Sequence, residues 1–271
     1  MTATDRSRAI LQVDGHLPAG PIELVTFDLY DTLIELVPPR WERLAAALSR
    51  VGLSADPATL RTADRAAEDY YTIENSGVPI RNRTIEEREA FRVRYTAVWL
   101  EAAGLPHDPE TARRVRREYV AEFETDPAWG TYRVFPDVLP ALVALREAGV
   151  KRAVISNADA DVTEFCTHLE FAHEMDAIVT SAVVGWEKPD PRTFYAALDH
   201  PEIGVAPARA IHVGDQPRSD VAGALAVGMH AALLDRFGRQ PADLPAQPTL
   251  RVASLLDLAE LVARHDAASR E

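Results

Sequence analysis

An apolar, β-prone run from Leu24 to Phe27 passes without a spacer into a polar cluster of Asp28, Tyr30, Asp31 and Thr32. A run of this kind makes a buried parallel strand. Open α/β sheets bind their ligands at the carboxyl ends of such strands. A carboxylate placed there can act as a nucleophile, attacking phosphorus or carbon to give a covalent aspartyl intermediate. Asp is equally suited to ending a strand or capping a helix, so the stretch alone leaves both readings open.

The rest of the chain alternates in a way that supplies context. Residues 1–21 form a lead-in that ends at Pro18-Ala19-Gly20-Pro21, and Pro38-Pro39 breaks the chain after the first strand. Trp41, Leu44, Ala45, Leu48 and Val51 then recur at helical spacing, and Gly52 follows as a stop. A second helix is expected from Pro57 to Tyr71, with Asp56 as N-cap. A third opens on a capping box of Thr84 and Glu87 and carries Phe91, Tyr95, Val98 and Trp99. A fourth starts at Asp108-Pro109 and holds Val115 and Tyr119. Four helices without a strand read as a separate helical module.

After Pro136 strands and helices alternate at the pace of a parallel, doubly wound sheet. Strands are expected at Lys151–Ile155, Ala177–Thr180, Ala210–Val213, Ala231–Leu234 and Thr249–Val252, and a last helix from Leu255 to Ala263. With 271 residues, 47% apolar and 26% charged, the chain is long enough for a core and a smaller module. A net charge of −13 argues against a nucleic-acid partner. It leaves room for a small anionic metabolite in a locally basic pocket. Cys166 is the single cysteine, which excludes a disulfide framework, and a buried inert thiol is expected. No run approaches the roughly 18 apolar residues of a membrane span. No signal core is present, so a cytoplasmic protein without a membrane partner is expected, as monomer or homodimer.

Polar residues follow four strands in turn: Asp28 to Thr32, Ser156-Asn157, Lys188, and Asp215 with Asp220. In a parallel sheet these ends share one edge. Asp28 is the candidate nucleophile. Asp28 and Asp215 offer hard oxygen ligands to Mg²⁺, and Thr32 and Ser156 offer donors to an anionic oxygen. Lys188 supplies the charge that lets a carboxylate approach an anion. Asp220 fits a helix N-cap or a support for Lys188 or the metal.

Together these residues resemble the haloacid dehalogenase superfamily. Its four motifs are matched by Phe27-Asp28-Leu29-Tyr30-Asp31-Thr32-Leu33, Ile155-Ser156-Asn157, Lys188-Pro189-Asp190-Pro191, and Gly214-Asp215 through Asp220. The resemblance implies an α/β, Rossmann-like parallel core over 22–36 and 132–271, with an all-helical cap inserted at 37–131. It implies a hydrolase with Asp28 as nucleophile, Asp28, Tyr30, Thr32, Ser156, Asn157 and Lys188 as catalytic positions, and Mg²⁺ held by Asp28, Asp215 and the Tyr30 carbonyl. Most members of this pattern are Mg²⁺-dependent phosphatases, which carry a second Asp where this chain has Tyr30. The reading adopted is a phosphatase or phosphotransferase with an altered acid/base, in which the adjacent Asp31 partly substitutes. A metal-free 2-haloacid dehalogenase, whose branch typically has Tyr at that position, is the alternative. A core recruited to another reaction or to binding is a third.

Other residues have simpler expectations. Arg81 and Arg83 read as a solvated loop, and Tyr70 and Tyr71 as packing aromatics. His212 reads as a satisfied core histidine. Arg113, Arg114, Arg116 and Arg117 read as a solvated helix face. Gly223 is expected at a close helix contact and Gly228 at a helix stop.

Overall fold

The central sheet follows directly from the buried apolar runs. In the computed structural model, which describes residues 13–124 and 132–269, seven strands lie in the order β1-β9-β8-β7-β2-β5-β6. These are β1 (Val13–Gly15), β2 (Leu24–Phe27), β5 (Lys151–Ser156), β6 (Ala177–Thr180), β7 (Ala210–Gly214), β8 (His230–Leu234) and β9 (Leu250–Val252). All neighbours are parallel except β1, which pairs antiparallel with β9. The sequence reading assigned no strand to the lead-in; three residues at a sheet edge are too few to show alternation. Residues 1–12 of that lead-in and the cap boundary at 131 lie outside the described residues.

The chain moves from β2 outward through β5 to β6, then returns to β7 on the other side of β2. The switch point therefore falls between β2 and β7, where an open sheet leaves a crevice. Period-2 alternation divides the strand residues between two cores. Val25 and Phe27 join Val154, Ile211 and Val213 beneath α5 (Val138–Glu147) and α10 (Leu255–Ser269). Leu24, Ala153, Ile155 and Ala210 face α8 (Pro191–Leu198) and α9 (Ala222–Ala226). Gly223 permits this second packing, since a Cβ there would lie 2.6 Å from a Phe194 ring carbon. Gly228 takes φ +82° directly after the helical run, as a helix stop requires.

Between β2 and β5 the chain builds a third core from α1 (Arg40–Arg50), α2 (Pro57–Gly77), α3 (Ile85–Ala102) and α4 (Pro109–Glu124). Asp56 accepts from Thr59 N at 3.2 Å, and Thr84 with Glu87 forms the capping box. Helix α2 runs six residues beyond the Tyr71 expected, because its last turns carry Asn75 and Ser76 rather than an apolar stripe. A short antiparallel pair, β3 (Ile34–Leu36) with β4 (Tyr132–Val134), joins this helical segment to the sheet. The sequence reading did not anticipate it. Trp41 of α1 meets Phe237 of the loop after β8 edge-on, with ring centroids 4.9 Å apart.

Candidate active site

Asp28 begins where β2 ends, and its amide donates to Val213 O at 2.9 Å, carrying the ladder one residue past the strand. The chain then folds tightly. Leu33 and Ile34 N–H both reach Leu29 O, Asp31 N–H reaches Ile34 O, and none of these bonds uses the Tyr30 carbonyl. Asp31 pays for the turn with a left-handed φ of +58°, a conformation Asp tolerates better than most residues.

Lys188, 3% exposed, donates to Asp28 Oδ1 at 2.6 Å and to Asp220 Oδ1 at 2.7 Å. Asn157 holds it in place through the backbone: Lys188 N–H donates to Asn157 Oδ1 at 2.7 Å, and Asn157 Nδ2 donates to Lys188 O at 2.9 Å. Asp220 is fully committed. It also meets His212 Nε2 at 3.3 Å and accepts from Gln216 N at 2.9 Å. Asp220 caps no helix with its side chain; it lies in a wide turn over Pro217–Val221 and supports Lys188. Gly214 is the residue that lets it in, because a Cβ there would lie 2.2 Å from Asp220 Oδ2. His212 is satisfied, with Thr26 Oγ1 2.8 Å from its Nδ1 and Phe194 against its ring.

Charge sets the protonation of this cluster. Burial pushes Asp28 up to about 7, with Lys188 pulling it back and Asp220 pushing it further. Burial would also raise Asp220, but Lys188 and His212 outweigh it and hold that carboxyl below its ordinary value. Burial opposes the Lys188 ammonium, yet Asp220 and Asp28 raise it overall, so it stays charged. Asp215 rises well above its ordinary value through burial. Arg239 pulls it back, while Asp31, Asp28 and Asp220 push it up again.

Arg239 was not anticipated. It lies in the loop after β8, 7% exposed, and pairs with Asp215 Oδ2 and with Asp64 of α2. Arg40 of α1 joins the same network, reaching Asp31 at 2.7 Å, Asp64 at 3.0 Å and Glu68 at 2.8 Å. Asp31 is held by Arg40 and lines the same cavity as Asp28. The signal was available: Asp235 to Gln240 is a polar cluster following a fifth strand end, the same rule that found the other four.

Oxygens of Asp28, Asp215 and Asp220 lie within 4.8 Å of one another. The Lys188 bond falls on Asp28 Oδ1, and both the Arg239 and the Gln216 Nε2 bonds to Asp215 fall on Oδ2. This leaves one Asp215 oxygen for another partner, while the Asp28 carboxylate also accepts from the Leu29 backbone. Mutually repelling buried carboxylates form a hard-oxygen set of the type that suits a divalent cation. Thr32 and Ser156 are fully buried with unpartnered hydroxyls. Neither is among the residues lining the cavity of about 760 Å³ that opens on Asp28, Tyr30, Asn157, Lys188 and Asp215.

Several side chains depart from expectation around this cavity. Arg81 is not solvated, pairing with Glu187 at 2.7 Å between the helical segment and the core. Arg83 folds back onto Val78 and Glu74 carbonyls and over the Phe91 ring. Tyr71 lines the cavity, as does Arg116, which pairs with Glu89. Tyr30 packs edge-on against Tyr132 at 5.6 Å. Its phenol is held well above the ordinary value by burial, with Tyr132 and Asp28 adding to the shift. Cys166 is buried in α6 (Thr163–His168), its thiol pushed up to about 12 by burial.

The family model of haloacid dehalogenase-like hydrolases matches residues 22–228. Haloacid dehalogenase-like hydrolase domain-containing protein 3 of Mus musculus is 32% identical over 226 residues, 82% of this chain and 84% of that one. Phosphoserine phosphatase of Thermus thermophilus is 36% identical over 169 residues, 62% of this chain and 64% of that one. The crystal structure of a 2-haloacid dehalogenase from Pseudomonas syringae pv. Tomato superposes with a TM-score of 0.53 at 28% identity, covering 90% of this chain and 99% of that one. With a parallel sheet, a crevice at its switch point and this match, the chain belongs to the haloacid dehalogenase-like hydrolases. It is a hydrolase with phosphatases among its relatives. No helix among the described residues is long and apolar enough to cross a membrane.

Proposed function

We propose that this chain is a Mg²⁺-dependent phosphatase acting on a small phosphorylated metabolite, with Asp28 as nucleophile and residues 37–131 as the cap. The observation that carries the reading is the convergence of Asp28, Asp215 and Asp220 oxygens within 4.8 Å. Dehalogenation of a 2-haloacid needs no such concentration of negative charge. Asp28, Asp215 and the Tyr30 carbonyl are the groups to hold the cation, and Asp220 supports them through Lys188. A bound Mg²⁺ would draw charge from the phosphoryl oxygens.

Asp28 attacks phosphorus as the carboxylate, and the bond from phosphorus to the leaving oxygen breaks. Lys188, held by Asn157 and Asp220, offsets the repulsion between carboxylate and phosphoryl group. Water then adds at phosphorus, which releases phosphate and restores Asp28. Tyr30 contributes its backbone rather than a mobile proton. Thr32 and Ser156, away from the cavity lining, support the nucleophile loop and the strand end that presents Asn157.

The test is phosphate release from a panel of phosphomonoesters with Mg²⁺, with and without Asp28→Asn. That substitution should cost at least about a thousandfold in kcat. Tyr30 favours one second reading, the metal-free dehalogenase. No phosphate release from the panel, together with chloride release from 2-chloropropionate in EDTA, would establish it instead.

A further inference from the structure

The cavity beside Asp28 is lined by rings and by charged groups, among them Arg40, Glu68, Arg92, Arg116, Asp159 and Asp161. Tyr71, Phe91, Tyr95 and Trp99 come from the helical segment, and Tyr30 and Tyr132 from the sheet side. They touch in series: Tyr71 meets Phe91 at 5.6 Å and Tyr95 at 6.3 Å, and Tyr95 meets Trp99 at 6.2 Å. Two of their polar handles are already used inside the segment. Tyr95 Oη donates to Glu68 at 2.6 Å, and Trp99 Nε1 donates to Leu60 O at 2.9 Å. Trp99 is 2% exposed and packs on Tyr95, so of these two it is Tyr95 that offers a ligand ring surface.

A second observation concerns the leaving oxygen. The residue two places after the nucleophile is a tyrosine packed on Tyr132, and the next carboxylate, Asp31, is bound to Arg40 at 2.7 Å. Tyr30 brings no carboxylic acid to a departing alkoxide, and Asp31, though it lines the cavity, is engaged by Arg40. Such a general acid is worth about 10²–10⁴-fold. A phenol ionises near 10, as tyrosine does, and an aliphatic alcohol several units higher, so a phenoxide departs with far less need of a proton.

From these two features together we infer that the preferred substrate is an aryl phosphate, a phosphomonoester whose aromatic leaving group fills the ring-lined cavity and departs unprotonated. This rests on the phosphatase reading. The Asp28 oxygen forms a bond to phosphorus as the bond from phosphorus to the aryl oxygen breaks. The electron pair stays on the phenoxide, which takes its proton from solvent. Water then cleaves the aspartyl phosphate at phosphorus. Stacked and edge-on ring contacts hold the aryl group while this occurs.

The experiment compares kcat/KM for phenyl phosphate, acetyl phosphate and β-glycerophosphate with Mg²⁺. Acetyl phosphate has a good leaving group and no ring, so it separates the two features. Phenyl phosphate should exceed β-glycerophosphate by more than about 100-fold. Tyr71→Leu should lower the ratio of phenyl phosphate to acetyl phosphate about fivefold, the value of one aromatic contact. Tyr30→Asp should narrow the gap between phenyl phosphate and β-glycerophosphate at least tenfold. Release of phosphate from all three, with β-glycerophosphate within tenfold of phenyl phosphate, overturns the aryl assignment and leaves the phosphatase reading standing. An unchanged phenyl-to-acetyl ratio in Tyr71→Leu also overturns it. No release from any of the three removes the phosphatase reading, and the inference with it.

Discussion

Asp28 is 9% exposed and shares its ammonium partner with Asp220, so its carboxyl is pushed to about 7, chiefly by burial. Attack requires the ionised form, so kcat/KM at low Mg²⁺ should rise with pH along a limb centred near 7. A cation binds the carboxylate and not the acid, so raising Mg²⁺ should move that limb to lower pH. A midpoint indifferent to Mg²⁺ would take Asp28 out of the metal's reach. The same shift has a stability sign. Between its ordinary 3.8 and about 7 the folded protein holds this proton more tightly than the unfolded chain, so Asp28 costs stability as pH rises through that window. Asp28→Asn should therefore raise the metal-free protein's stability at pH 8 by about 1–3 kcal/mol in urea titrations, while abolishing turnover. Loss of stability in that variant would mean that the Lys188 bond outweighs desolvation.

The elements show how an unanticipated residue comes to matter. Periodicity marks α1, α3, α4 and the strands β2 and β5 to β9, because each buries one regular face or an unbroken apolar run. It misses β1, β3 and β4, pieces of three residues each, whereas β9, equally short, follows Thr249 in a stretch bounded by Pro248 and Ser254. The strand-end rule draws Asp28, Asn157, Lys188, Asp215 and Asp220 to one edge, where Lys188 bonds to Asp28, Asn157 and Asp220 and the oxygens of Asp28, Asp215 and Asp220 lie within 4.8 Å of one another. Applied to the end of β8 as well, the rule reaches Asp235 to Gln240, where Arg239 lies. Nothing in the sequence could pair Arg239 with Asp64, since 175 residues separate them. Asp64 is wholly buried on α2, between the Arg40 and Arg239 guanidinium groups. Its removal takes from both guanidinium groups the buried carboxylate they share, leaving Arg239 on Asp215 and Arg40 on Asp31 and Glu68. Asp64→Ala is expected to destabilise the fold by about 3–5 kcal/mol, as for other broken buried pairs, measured as a shift in urea midpoint at unchanged slope. A loss under about 1 kcal/mol would show that water enters and screens the network.

At the scale of the molecule, the helical segment is fastened to the sheet domain around the cavity rim. Arg81 reaches Glu187, Arg218 reaches Asp69 at 3.1 Å, Arg239 reaches Asp64, and Trp41 packs on Phe237. One of these fastenings, Arg239 with Asp64, meets the acidic cluster through Asp215, so a cation bound there would be linked to the stability of the whole chain. A ligand that binds only the folded protein stabilises it by about 2.7 kcal/mol at a hundredfold excess over its dissociation constant. For a chain of this size each kcal/mol moves Tm by about 2–4 °C, so saturating Mg²⁺ should raise Tm by about 5–10 °C, and EDTA should reverse it. Asp215→Asn removes a proposed ligand together with its repulsion from Asp31, Asp28 and Asp220 and its ion pair with Arg239. Whatever its own metal-free Tm, the variant should lose most of the Mg²⁺ increment. Two outcomes count against a cation at this cluster: an equal increment in parent and variant, which places the bound ion elsewhere, or no increment in the parent at any Mg²⁺ concentration.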